Sequence, residues 1–204
     1  MAATSVKAAA TTNGTTSPPP TGAAAALNFR LAVESDAPQL IVLVQSAYRG
    51  AASRQGWTTE ADLLSGNRID LDGLVTKITA PDSAVILAFS TSGEMVACCE
   101  VVKNGDDVAY FGMFAVDPTK QAGGIGRQVL GYAEEWVRAQ WQGVAKMEMT
   151  VIFTRKELIA WYGRRGYRTT GERREFPYEE IRKIGGKDSV GREDLWFEVL
   201  EKDL

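Results

Sequence analysis

The stretch from Tyr110 to Trp136 carries the strongest chemical signal in the chain. An alternating apolar run stops at Asp117-Pro118. A glycine-rich turn follows, Gln121-Ala122-Gly123-Gly124-Ile125-Gly126-Arg127, and a helical pattern starts at Ile125. Glycines at 123, 124 and 126 remove side chains where a backbone must approach a ligand closely. A helix beginning there offers unpaired N–H groups and the positive end of its dipole, so the turn can cradle a pyrophosphate. Lys120 and Arg127 flank it and can neutralise phosphate charge. A tight turn that merely needs glycine is the competing reading. Two other phosphate-binding patterns fail. No Gly-Lys-Ser/Thr follows the glycines, and Gly124-x-Gly126 continues as Arg-Gln-Val without the third glycine of a dinucleotide fingerprint.

Proton chemistry is constrained by an absence: the 204 residues include no histidine. Ser/His/Asp and Cys/His hydrolases, His-bearing zinc sites and proximal-His haem are thereby excluded. Asp, Glu, Tyr, Lys, Cys or a water must carry any proton. Glu100 stands out because it interrupts the apolar run Ala97-Cys98-Cys99-Glu100-Val101-Val102. It reads as a general base, as an anchor for a substrate ammonium, or as a surface-facing strand residue. The only cysteines, Cys98 and Cys99, are adjacent and in a strand point to opposite faces, so they read as small core residues.

The elements that must position these groups follow from periodicity. Phe29–Val33 alternates as a short strand, and Ser35 or Asp36 can cap a helix reaching Arg49, with Pro38 in its first turn. A polar segment, Gly50 to Asp72, holds Trp57, Thr58, Thr59, Glu60 and Arg68. Three strand-like runs follow, Ala84–Phe89, Met95–Val102 and Val108–Val116, with turns at Gly93 and Asn104-Gly105-Asp106. After the long helix, Lys146–Phe153 alternates again. Thr154 can cap a helix from Arg155 to Arg165 that Gly166 ends. Strands at Tyr167–Gly171 and Leu195–Leu200 close the pattern, joined by a polar connection. Residues 1–27, rich in Ala, Thr, Ser and Pro, carry too little bulky apolar surface to offset their ordering entropy and read as a disordered extension.

Composition adds bounds. A net charge of −3 and a pI near 5.2 argue against nucleic acid or an anionic membrane as the main partner. No apolar run is long enough to span a bilayer. The cysteine usage fits a reducing, cytoplasmic compartment.

Ala115-Val116-Asp117-Pro118 followed by Gln121-x-x-Gly124-x-Gly126 resembles the acetyl-CoA-binding motif of the GCN5-related N-acetyltransferase (GNAT) superfamily. Trp161-Tyr162-Gly163-Arg164-Arg165-Gly166-Tyr167 is similar to the aromatic-Tyr-x-x-x-Gly segment that ends the family's fourth helix. The order of elements from residue 28 to 204 matches as well. The resemblance implies one α/β domain, with a central mixed, splayed sheet of about six to seven strands flanked by about four helices. It implies acetyl-CoA as co-substrate, no metal, and direct acetyl transfer to a primary amine of a small molecule. Backbone from Phe114, Ala115 and Val116 would pair with the pantetheine arm, and Gln121 through Arg127 would bind the pyrophosphate. Tyr162 would protonate the departing thiolate, or else only pack against it. Many relatives hold the cofactor with an asparagine that the stretch Thr154–Ile159 lacks. Trp57 and Arg68 fall in a stretch that looks like the insert between the family's first two helices, where they can clamp an aromatic or carboxylate-bearing substrate, or else are an aromatic packed under a loop and a solvated arginine. Acetylation of a protein lysine or N-terminus is the second reading, and a non-catalytic CoA-binding module the third. A homodimer is common among such proteins.

Overall fold

A computed structural model of the chain describes residues 26–121 and 123–204. Most of the expected N-terminal extension therefore lies outside the described residues, although Leu27 packs against the core. The described residues form a seven-stranded sheet in the order β1-β2-β3-β4-β5-β7-β6. The strands are β1 (Asn28–Leu31), β2 (Ser83–Phe89), β3 (Met95–Asn104), β4 (Val108–Val116), β5 (Lys146–Ile152), β6 (Arg168–Glu175) and β7 (Trp196–Asp203). Every neighbouring pair is antiparallel except β4 and β5. The helices are α1 (Ala37–Tyr48), α2 (Gly50–Ser53), α3 (Leu71–Thr79), α4 (Ile125–Gln140), α5 (Lys156–Gly163) and α6 (Tyr178–Gly185). None of them is long and apolar enough to cross a membrane.

The strand period of two divides the core into layers on either side of the sheet. Ile86, Cys99 and Val101 face α4, whose Ile125, Val129, Ala133 and Val137 recur at helical spacing. Leu87 and Cys98 face the opposite way, onto Leu40 and Val44 of α1 and Leu74 of α3. The two adjacent cysteines thus enter different layers, as alternation requires. The expected turns at Gly93 and Gly105 also form, both with positive φ.

Several local expectations need correction. Asp36 does not cap α1; its carboxylate binds the Arg30 guanidinium and the Val33 N–H instead. Thr154 does not cap α5: the chain turns first through Arg155, and the threonine hydroxyl is buried without a partner. Pattern reading passed over α3 and α6. The first is capped by Asp70, which accepts from the Gly73 N–H. Among the described residues the helices number six, of which α2 is a single turn of four residues.

Burial gives this fold a defined alkaline limit. The phenols of Tyr48, Tyr162 and Tyr167 are pushed up, chiefly by desolvation. Burial likewise pushes the Cys98 thiol up to about 12 and raises Cys99 well above its ordinary value. In the unfolded chain thiols lose their protons near pH 8.5 and phenols near pH 10. Above those values the folded state holds protons that the unfolded state has released, so stability falls as pH rises. Each such group contributes a slope of about 1.4 kcal/mol per pH unit. Urea unfolding followed by tryptophan fluorescence should show a midpoint that declines from about pH 9 and drops more steeply beyond about pH 10. A midpoint unchanged between pH 8 and 11 would contradict this account.

Candidate functional site

β4 and β5 pair only where Val108, Ala109 and Tyr110 lie beside Lys146, Met147 and Glu148. Beyond that point the strands diverge, though β4 continues to Val116 and β5 to Ile152. A bulge in β4 helps to turn it away. Cys98 pairs with Ala115 and Glu100 with Gly112, so β4 carries one extra residue there. Met113 sits at that bulge with φ of 43°, the only non-glycine residue with positive φ among the described residues. At the apex of the opening, Tyr110 and Thr150 share a hydrogen bond of 2.7 Å between their hydroxyls. The opening is a cleft of about 540 Å³.

One end of the cleft is the glycine turn. Gly124 has φ of 81° as the residue before α4, a left-handed conformation that glycine adopts without strain. A Cβ on Gly126 would stand 3.2 Å from the Phe114 ring and 3.5 Å from Trp161, so a side chain there would push the Phe114 ring back by a few tenths of an ångström. Arg127 and Arg165 line this end. Arg165 lies 3.4 Å over the Trp161 ring and donates to the Trp161 carbonyl at 2.6 Å, while its buried Nε has no partner. Burial and the neighbouring Arg164 and Arg127 destabilise its charge, an imbalance that a phosphate would relieve. Lys120, expected to share this task, instead forms an ion pair with Glu94. Ala122 lies outside the described residues.

The open edge of β4 is already engaged by side chains. The Tyr48 hydroxyl donates to the Phe114 carbonyl at 3.0 Å, and Gln121 Nε2 donates to the Val116 carbonyl at 3.3 Å. Each carbonyl keeps a second lone pair for a ligand. Phe114 and Val116 line the cleft, whereas the side chain of Ala115 is buried in the opposite layer. Gln121 also accepts the Trp57 N–H at 3.0 Å, which ties the glycine turn to the segment after α2. Trp57 lines the cleft near Trp161, their rings 6.4 Å apart.

Tyr162 projects into the cleft wall from α5. Its ring is fixed edge-on between Trp161 and Tyr167, at 5.0 and 5.8 Å. Its hydroxyl has no hydrogen-bond partner among the described residues. Burial raises its pKa and the Arg155 cation opposes that shift, so the phenol is protonated at neutral pH.

Glu100 does not reach the cleft. Its carboxylate faces α3, where Lys77 Nζ binds both oxygens at 2.7 and 3.0 Å and Ser83 Oγ adds a contact of 3.3 Å. The acid in an apolar strand has its reason in this ion pair. Lys77 was invisible as a partner because α3 itself was not read from the pattern.

The other end of the cleft was largely missed. Arg49, buried, binds Glu60 Oε2 at 3.0 Å, and Arg155 binds Glu60 Oε1 at 2.7 Å and Thr58 Oγ1 at 3.0 Å. Burial alone would raise the Glu60 pKa, but the guanidiniums of Arg155, Arg68 and Arg49 together hold it below the ordinary carboxylate range. Arg68 stacks 5.1 Å over the Tyr48 ring. Above them two loops are stitched together: Ser65 N–H donates to Ser189 O, Gly191 N–H donates to Leu63 O, and Leu64 bridges Val190. Leu64, Ile152, Phe176 and Leu195 form a small apolar cluster beneath this seam. Such pairing between distant loops leaves no periodic signature. Among the described residues no group of His, Cys, Asp and Glu has the arrangement of a metal site.

A sequence profile of the Acetyltransferase (GNAT) family matches residues 43–167. No curated protein sequence gives a significant match. Among solved structures, the fold is similar to N-acetylglutamate synthase from Neisseria gonorrhoeae, solved with coenzyme A and N-acetyl-glutamate. The TM-score is 0.58 and the identity 19%, over 88% of this chain and 35% of that one. IAA acetyltransferase from Bacillus cereus aligns at TM-score 0.59 and 15% identity, over 88% of this chain and 100% of that one. The ribosomal-protein-S18-alanine N-acetyltransferase from Escherichia coli aligns at TM-score 0.62 and 16% identity, over 87% of this chain and 94% of that one. With the profile spanning the glycine turn, the divergent strands and Tyr162, the chain belongs to the GNAT acetyltransferase family.

Proposed function

We propose that this protein transfers the acetyl group of acetyl-CoA directly to a primary amine of a small molecule, both substrates being bound together. The observation that carries the reading is the cleft itself. A glycine turn with unsatisfied arginines stands at one end, and a free tyrosine hydroxyl stands on the wall between the diverging strands. Arg127, Arg165 and the N–H groups before α4 would hold the phosphates, and the open edge of β4 would hold the arm that carries the thioester. The loops joined by Leu64 and Val190 cover the acceptor end, which favours a small acceptor over a protein chain.

The chemistry needs no covalent enzyme intermediate. The amine lone pair forms a bond to the thioester carbonyl carbon, and the tetrahedral adduct collapses by breaking the carbon–sulfur bond. Tyr162 gives its proton to the departing thiolate sulfur and regains one from solvent, while the new amide sheds an N–H proton to water. Burial that raises the phenol pKa raises that of a thiol in the same cleft as well, so the two remain matched. Holding amine and thioester in attack geometry supplies most of the rate.

Thermal shift with acetyl-CoA, CoA, ATP and NADH in parallel tests the ligand. At about 100 times its dissociation constant, acetyl-CoA should stabilise by about 2.7 kcal/mol, or roughly 5 to 10 °C for a domain of this size. A shift with ATP or NADH alone would overturn the reading. Tyr162→Phe should lower kcat about 100-fold while leaving the acetyl-CoA shift intact. An unchanged kcat would remove the acid role.

Glu100 serves, in this reading, to anchor Lys77 rather than to accept the amine proton. Glu100→Gln should then cost about 1 kcal/mol, because the Lys77 side chain is 37% exposed and partly screened. The melting temperature should fall by roughly 2 to 4 °C with kcat within a few-fold of wild type. A 100-fold loss of kcat at unchanged melting temperature would restore Glu100 as the base.

A further inference from the structure

Three guanidiniums converge on one carboxylate at the acceptor end. Glu60 spends one oxygen on Arg49 and the other on Arg155. Arg68 acts on Glu60 through its field but makes no hydrogen bond to it. Its guanidinium has no carboxylate partner among the described residues; it lies over the Tyr48 ring, and its main-chain N–H is held by Gln45 Oε1 at 2.9 Å. The group therefore carries three positive charges against one negative. It is also short of acceptors, since the buried Arg49 Nε has no partner. Arg49, Arg68 and Asn67 line the cleft together.

The position of the excess charge matters as much as its sign. Tyr48 is pinned through its hydroxyl to the Phe114 carbonyl, on the strand edge that borders the opening. Arg68 rests on the face of that same ring, so its charge is held beside the stretch of β4 that has left β5. A half-buried positive excess attracts an anion and repels a second ammonium, because interactions in such a site are screened far less than in water.

We propose that the acceptor is an amine bearing a carboxylate on the same molecule, with Arg68 binding that carboxylate. This inference rests on the acetyl-transfer reading above and narrows its acceptor. The carboxylate neutralises one of the two excess charges, and the remaining one disfavours the ammonium form of the neighbouring amine. The acceptor nitrogen can then lose its proton to water or to Glu180, the other carboxylate that lines the cleft. A polyamine would bring positive charge to a site that is already positive, and the same field would oppose its entry.

The test compares each standard amino acid with its own carboxamide, and adds 1,4-diaminobutane. Thiol release from acetyl-CoA is measured on wild type, Arg68→Gln and Arg68→Lys. The acid should exceed its carboxamide in kcat/KM by about 10- to 100-fold for the best acceptor. Arg68→Gln should raise KM for the acid by a similar factor and erase the preference, with KM for acetyl-CoA unchanged, and Arg68→Lys should recover part of it. Carboxamides or the diamine reacting as well as the acids would overturn the proposal, as would a preference that survives Arg68→Gln. Calorimetric titration of the same acids and carboxamides into the CoA complex separates the two readings. Acids that bind through Arg68 without any thiol release would preserve the carboxylate site and sink the transferase reading. Acids that bind no better than carboxamides would sink the carboxylate site.

Discussion

The rest of the structure depends on two parallel strands that stop pairing. β4 and β5 share three residue pairs and then part, leaving backbone N–H and C=O groups facing a gap inside the sheet. Buried backbone polar groups left without partners are costly, so a gap of this kind persists only when the surrounding structure maintains it. Here the maintenance is visible on every side. A bulge at Met113 bends β4 outward, and Tyr48 and Gln121 satisfy the Phe114 and Val116 carbonyls. The Tyr110–Thr150 hydrogen bond ties the strands where they separate. On their outer edges β5 continues its ladder with β7 and β4 its ladder with β3, so the opening exposes only the facing edges of the two strands.

Gln121 shows how one residue can join two parts of such a site. Its side chain donates to the Val116 carbonyl and accepts from the Trp57 N–H, linking the strand edge, the glycine turn and the acceptor loop. The loop carrying Trp57 is further secured by Arg155, which reaches Glu60 and Thr58 from the start of α5. The helix that presents Tyr162 is thus tethered to the segment that covers the acceptor end. If acetyl transfer takes place in the cleft as proposed, side chains arriving from both would hold its geometry, which is what orientation-based rate enhancement requires.

What was legible in the sequence was local. Glycines at 124 and 126 announce a turn because one needs a left-handed φ and the other sits where a Cβ would crowd a ring, and both demands act on the residue itself. Cys98 and Cys99 divide between layers because alternation in a strand is a one-residue rule. Tyr162 was singled out by the resemblance of residues 161–167 to a family segment, and the structure places it on the cleft wall. What was illegible depends on partners far apart in the chain. Glu100 gives no hint of Lys77, which arrives on a helix from 23 residues away. Glu60 gives none of Arg155, 95 residues distant. The seam between residues 63–65 and 189–191 is made of backbone groups and is independent of side-chain type, so no pattern of residue types encodes it. Lys120 was misplaced for the same reason: a lysine beside a glycine turn looks available until Glu94 is seen across the sheet edge.

The absence of histidine makes the electrostatics of the cleft a question of sign. Both ends are rich in arginine, but the two kinds of excess differ in purpose. At the glycine turn, Arg127 and Arg165 face a place where phosphates would arrive, and neutralisation there is binding. At the acceptor end the positive excess surrounds Glu60, whose carboxylate is held charged with each oxygen already bonded to an arginine. A carboxylate so held is a poor proton acceptor. The same arginines that disqualify it also raise the free energy of any ammonium nearby. In the proposed reading, shifting the acceptor's own equilibrium toward the neutral amine achieves the same end as removing the proton with a side chain. On the proposed reading an arginine cluster, usually read as a device for binding anions, would also take part in activating the nucleophile.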